Sequence, residues 1–169
     1  MSKFEHTADN GWIQHAASRF EIIDLGIRMT KPEIACIAPF FIVDNVPAAL
    51  SFYRDRLGFD ITFQGPEPDD IFFGIVERGA AMIMLKAVGV EPLPNHQRDV
   101  KGWARWDAYL CVPDPDALAA EFSARSVEFS QPLKDDQGLR GFELKDADGY
   151  VLFFGRPISE TATPEHPRT

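Results

Sequence analysis

The sequence predicts an α+β fold built from two copies of one unit, each a strand, a helix and three further strands. Ile34 to Ala87 and Trp106 to Gly155 show the same succession of apolar runs around a capped helical stretch. The openings match best: APFFIVDNVPAALSFY (Ala38 to Tyr53) against DAYLCVPDPDALAAEF (Asp107 to Phe122). At an offset of 69 residues Val43 falls on Val112, Ala48 on Ala117 and Met84 on Phe153. A unit this small cannot bury its own sheet, so duplication implies two modules packed together, and ligand sites tend to form where such halves meet.

The first module reads as follows. Ile34 to Val43 is a strand. Asn45 is an N-cap, Pro47 sits in the first turn, and Leu50, Phe52, Tyr53 and Leu57 give the apolar face of a helix that Gly58 stops. Phe59 to Gln64 is a second strand, followed by a loop at Gly65-Pro66-Glu67-Pro68-Asp69-Asp70. Ile71 to Glu77 and Ala80 to Lys86 form a hairpin around Arg78-Gly79.

The second module repeats that order: a strand over Trp106 to Val112, a helix capped by Asp114 or Asp116 and running to about Arg125, and a short strand at Val127 to Phe129. Leu139 to Lys145 and Tyr150 to Gly155 close as a hairpin through Asp146-Ala147-Asp148-Gly149, which contains the Asp-Gly turn dipeptide. The domain is thus expected over 34–157, with modules 34–88 and 106–157 and a crossover loop 89–105 over the mouth of the site. Residues 1–33 form an N-terminal extension. Trp12, Ala16, Phe20, Ile23 and Ile27 recur at helical spacing there, but a start at Met29 behind an appended leader reads equally well. The tail, 158–169, shows no periodicity.

With 169 residues, 19.0 kDa and 45% hydrophobic content, the chain can bury one core without disulfides or metals. A formal charge of −9 and the lack of a Lys/Arg cluster argue against a nucleic-acid partner and favour a neutral or cationic small ligand. Cys36 and Cys111 fall in predicted strands without metal spacing and read as buried free thiols. Neither a membrane-spanning apolar stretch nor a signal-peptide pattern is present, so the expected setting is the cytoplasm, away from membranes.

SFYRDRLGF (Ser51 to Phe59) after VDNVPAAL, with GFELKDADGYVLFFGRP (Gly141 to Pro157), resembles the glyoxalase, bleomycin resistance and extradiol dioxygenase superfamily, also called vicinal oxygen chelate. The resemblance covers about Ile34 to Pro157. It implies two βαβββ modules whose sheets curve into a cup, in a homodimer with shared or swapped modules. It also implies that catalytic members hold a divalent metal at positions that fall here on Ala38, Met84, Asp107 and Phe153. Where metal enzymes often read DPDGxxxE, this chain reads DADGYVLF, which puts Phe153 in place of the carboxylate. A hard divalent cation needs several oxygen or nitrogen donors, and Asp107 alone supplies one. No metal or other cofactor is therefore expected. The histidines do not restore the set: His6 and His15 lie in the extension, His166 in the tail and His96 in the crossover loop.

If those positions still face the cup, it is lined by Ala38, Phe40, Met82, Met84, Tyr109, Val151 and Phe153, with Asp107 as its charged group and Trp103 and Trp106 at its mouth. Methionines fit irregular shapes and aromatic faces attract cations, which suits a flat or cationic organic molecule. Alternating Met and Phe in strands also occur as plain core, and covering a partner subunit or the core rim is an equal reading of the tryptophans. Asp69-Asp70 and Asp135-Asp136 read as solvated turns. Three functions stay open. The first is a metal-independent binding protein, similar to the bleomycin resistance branch, that sequesters an antibiotic-like compound. The second is a lyase or isomerase acting on a small carbonyl or thiol-conjugated substrate, with Asp107 or Tyr109 as acid/base. The third is a structural or regulatory dimer without a ligand.

Overall fold

A computed structural model describes residues 36–98 and 106–158. Trp103, the extension up to residue 35 with its helical periodicity, most of the tail, and His6, His15 and His166 lie outside the described residues.

In the first module β1 (Phe40–Ile42), α1 (Val46–Asp55), β2 (Asp60–Glu67), β3 (Asp70–Arg78) and β4 (Ala81–Lys86) follow one another. A one-turn helix, α2 (Asn95–Arg98), lies in the crossover segment. The second module comprises β5 (Ala108–Cys111), α3 (Pro115–Ala124), β6 (Phe129–Asp136), β7 (Leu139–Lys145) and β8 (Val151–Pro157). The two sheets have the same order, β1-β4-β3-β2 and β5-β8-β7-β6, each with one parallel pair at the first strand. The repeat holds to the residue: Phe40 pairs with Met84 and Phe41 with Leu85, as Tyr109 pairs with Phe153 and Leu110 with Phe154.

Both helices start as the sequence predicts. Asn45 accepts from the Ala48 N–H and Asp114 from the Ala117 N–H, each satisfying a first-turn donor that has no partner inside the helix. After α1 the chain turns at Gly58, whose φ of +66° suits a residue without Cβ.

Four expectations are corrected. The first strand is Phe40–Ile42 rather than Ile34 to Val43, because its one partner, β4, pairs with it only over Met84 to Lys86. The predicted loop at Gly65 to Asp70 is mostly strand, with β2 running through Glu67, and the predicted stub at Val127 to Phe129 becomes the eight-residue β6. Pro66 and Pro132 are tolerated because β2 and β6 are edge strands and both prolines stand at register shifts. The cysteines are free but exposed: Cys36 precedes β1, and Cys111 lies opposite Gly155, which has no side chain to cover it.

Strand alternation sends one set of side chains toward the helices and leaves the other on a free face. The helix-side set forms one core through both modules, including Phe41, Val43, Leu50, Tyr53, Ile83 and Leu85 with Phe122, Phe142, Leu144, Leu152 and Phe154. Polar bonds join the modules at its edges. Arg78 of β3 ion-pairs with Glu121 of α3, and the Arg56 guanidinium donates to the Arg125 carbonyl. At the other end Phe41 stacks on Tyr150 at 4.1 Å, the Tyr150 hydroxyl donates to the Ile42 carbonyl, and the Asp44 N–H donates to Asp148.

Candidate functional site

The free faces hold the residues that the sequence singled out. Phe40, Met82 and Met84 share the free face of the first sheet. Met84 lies between Phe40 and Ile75, and Met82 lies opposite Glu77. Phe73 and Phe63 extend this apolar surface, with ring centroids 5.8 Å apart. Tyr109, Val151 and Phe153 share the free face of the second sheet. Among the described residues no strand of one sheet pairs with a strand of the other.

The second face is built around Phe153. Its ring lies over the register pair Gly141 and Gly155: a Cβ on Gly141 would fall 2.5 Å from the ring and one on Gly155 2.7 Å. The glycines let the ring lie flat on the sheet. Trp106 then stacks on top, with centroids 4.2 Å apart and planes 23° from parallel, and Tyr109 flanks Phe153 at 5.2 Å. The result is layered. Phe153 is 7% exposed, whereas Trp106 and Tyr109 are each 38% exposed and form the outer surface. Burial pushes the Tyr109 hydroxyl above the ordinary tyrosine pKa, so it stays protonated near neutrality.

Glu143 is the carboxylate that the sequence reading missed. It lies on β7 opposite Phe153, is 5% exposed, and accepts a 2.7 Å hydrogen bond from the Trp106 indole N–H. The predicted hairpin, with Lys145 facing Tyr150, would set Glu143 across from Leu152; the observed register, with Lys145 facing Val151, is shifted by one residue and brings Glu143 opposite Phe153.

Asp107 is held in place by backbone donors. One carboxylate oxygen accepts from the Val151 N–H at 2.8 Å and the other from the Asn95 N–H, which ties the start of α2 to the start of β8. Ala38 is half-buried in the segment before β1, outside any strand. Val151 is buried. Phe40, Trp106 and Asp107 meet in an open cleft of roughly 580 Å³, walled also by Ile42, Val90 and Leu93. Met82, Met84, Tyr109, Val151 and Phe153 do not line that cleft. The structure therefore places the expected residues in three adjoining groups: Met82 and Met84 with Phe40, Phe40 with Trp106 and Asp107, and Trp106 with Tyr109 and Phe153.

The family's metal positions do not converge on donors. Phe153 lies beneath an indole, Met84 between Phe40 and Ile75, and among the described residues no three His, Cys, Asp or Glu side chains cluster as a metal site. These residues do not fit a divalent cation.

Residues 34–154 match the family model described as Glyoxalase/Bleomycin resistance protein/Dioxygenase superfamily. The chain is similar to the solved structure of TioX from Micromonospora sp. ML1, at 20% identity and a TM-score of 0.58, over 72% of this chain and 98% of that one. It is likewise similar to a bleomycin-binding protein from Streptomyces verticillus solved with copper(II)-bleomycin, at 26% identity and a TM-score of 0.55, over 73% and 97%. A lactoylglutathione lyase from Agrobacterium tumefaciens shares the fold at 19% identity and a TM-score of 0.51, over 74% and 95%. No curated protein matches the chain.

Proposed function

The chain belongs to the glyoxalase, bleomycin resistance and dioxygenase superfamily, and from that premise we propose that it is a metal-independent binding protein for a flat, aromatic or cationic organic molecule. One observation carries the reading: the position that would supply a metal-binding carboxylate holds Phe153, roofed by Trp106 and bordered by Tyr109. A stacked aromatic surface with a half-exposed outer ring favours flat partners and cations and contributes nothing to metal chemistry. The acidic surface, at a formal charge of −9, attracts cations. The likeness to a bleomycin-binding protein supports the same class of ligand. Binding would sequester the compound unchanged.

The lyase or isomerase alternative is weakened by the same geometry. Both oxygens of Asp107 are engaged by backbone N–H groups, and Tyr109 has its pKa moved away from neutrality. The reading includes a cytoplasmic homodimer. Phe40, at 47% exposed, and Tyr109 leave apolar surface open on the two free faces, and a second copy that brings a first-sheet face onto a second-sheet face would close the cup.

The test is equilibrium binding to the purified, dialysed protein, followed by quenching of tryptophan fluorescence, across copper-free bleomycin, aromatic antibiotics and planar cationic dyes. Saturable binding that survives chelator supports the proposal. No binding anywhere in the panel, or stoichiometric metal retained through dialysis, overturns it.

A further inference from the structure

Trp106 stands just before β5, outside any strand, so strand pairing does not set its side-chain orientation. Its contacts are two rings, Phe153 beneath and Tyr109 at 5.8 Å to the side, and one directional bond, from the indole N–H to the Glu143 carboxylate. Stacking alone leaves the indole free to slide or rotate in its own plane. A directional bond to a buried acceptor removes that freedom, and one to a carboxylate is about twice as strong as a neutral one. Glu143 is well placed to act as a fixed point. It sits mid-strand on β7, with Gln131 of β6 on one side and Phe153 of β8 on the other.

We propose that Glu143 is a positioning residue: by accepting the Trp106 indole N–H it locks the ring over Phe153 and so presets the aromatic surface on which a flat ligand stacks. This rests on the binding function proposed above and adds a residue that acts through Trp106. Preorganisation of this kind raises affinity by removing the cost of ordering the ring at the moment of binding. Its counterpart in the first module makes the point by contrast. There the residue opposite Met84 is Ile75, which has no acceptor to offer, and no tryptophan is placed over Met84 among the described residues.

The experiment uses full-length protein: quenching is read in a Trp12→Phe, Trp103→Phe background, so that Trp106 is the one remaining tryptophan, and ethidium binding is read with Trp103 retained. Glu143→Leu removes the acceptor; Glu143→Gln keeps one. Two readouts are taken: acrylamide quenching of Trp106 without ligand, and the Kd for ethidium, a flat cationic probe. Glu143→Leu is expected to make Trp106 more accessible to quencher and to weaken ethidium about ten-fold, the equivalent of one charge-assisted hydrogen bond. Glu143→Gln is expected to keep both readouts close to the parent. Should Glu143→Leu fold poorly, Trp106→Phe, which removes the donor and keeps a ring, is expected to weaken ethidium to the same degree, with Glu143→Gln adding nothing in the double variant. Unchanged quenching in Glu143→Leu overturns the inference, as does loss of binding in Glu143→Gln, which would assign the effect to charge. If the parent fails to bind ethidium, the functional reading fails for that ligand class, while the quenching comparison still decides the role of Glu143.

Discussion

Asp146 offers the sharpest test of how the modules are held together. It closes the β7–β8 hairpin, yet it is buried: one oxygen accepts from the Tyr53 hydroxyl at 2.8 Å and the other from the Asp148 and Tyr150 N–H groups. Tyr53 belongs to the other module and is fully buried. Burial pushes the Asp146 pKa up to about 6 against the three bonds that favour its ionised form, with the Asp148 charge pushing the same way as burial. Folding raises this pKa, so the folded state holds the proton more tightly than the unfolded chain does. The resulting stabilisation is complete below the unfolded pKa of about 3.8 and is lost as pH rises through about 6.

Asp146→Asn isolates this effect, since Asn keeps the shape and an acceptor for the backbone N–H groups but does not titrate. From the two pKa values, stability of the parent relative to the variant should fall by about 2 kcal/mol between pH 4.5 and 7.5. Urea denaturation followed by far-UV circular dichroism at several pH values gives both curves, and their difference cancels every other titrating group. A difference flat to within about 0.5 kcal/mol across that range would refute the reasoning, because mutational free energies at one site are measured to roughly that accuracy.

Tyr53→Phe should cost about 1–3 kcal/mol at pH 7.5, where it strips a donor from a buried carboxylate, and less at pH 4.5, where Asp146 is protonated; urea midpoints at the two pH values check this. Gly155→Ala would put its Cβ 2.5 Å from the Arg140 carbonyl and 2.7 Å from the Phe153 ring, so a loss of about 1–3 kcal/mol or more is expected, with a changed near-ultraviolet dichroism as the Phe153–Trp106 stack shifts. Asp107→Ala should cost about 1–3 kcal/mol by leaving the Val151 N–H without its acceptor, measured by urea unfolding. Phe122→Ala, which empties the centre of the second-module core between Phe142 and Phe154, should cost about 3–5 kcal/mol.

The sequence yields the two helices and the repeat because their signals are local: Asn45 and Asp114 cap within three residues, and Gly58 takes up its turn wherever the rest of the chain lies. It misleads at Pro66 and Pro132, where being an edge strand, a property of the assembled sheet, decides whether proline is tolerated. The role of Asp146 is hidden for a related reason. In DADG it reads as a turn residue, and its burial depends on Tyr53, 93 residues away. Of the candidate site, alternation gives which of Phe40, Met84, Tyr109 and Phe153 share a face with their neighbours along each strand, and the family resemblance implies that this face is the free one. For Asp107 no local pattern shows the two backbone N–H groups, those of Asn95 and Val151, that hold its carboxylate at the cleft.

Equivalent positions in the two modules separate what holds the fold from what shapes the faces. On the helix side Ile83 and Leu85 of β4 correspond to Leu152 and Phe154 of β8, and all four are buried in the shared core. There a polar substitution would leave a group without water or a partner, so apolar character is kept while size varies. On the free side Phe40, Met84 and Ile75 correspond to Tyr109, Phe153 and Glu143. In the first module Met84 and Ile75 thus stand where the second has Phe153 and the carboxylate that holds Trp106 over it. The packing that stabilises the sheets does not require this second arrangement, because the first module builds the same four-stranded sheet without it. The Glu143–Trp106 pair is thus a difference between the modules that the shared sheet does not call for, and it is the difference the proposed binding function draws on.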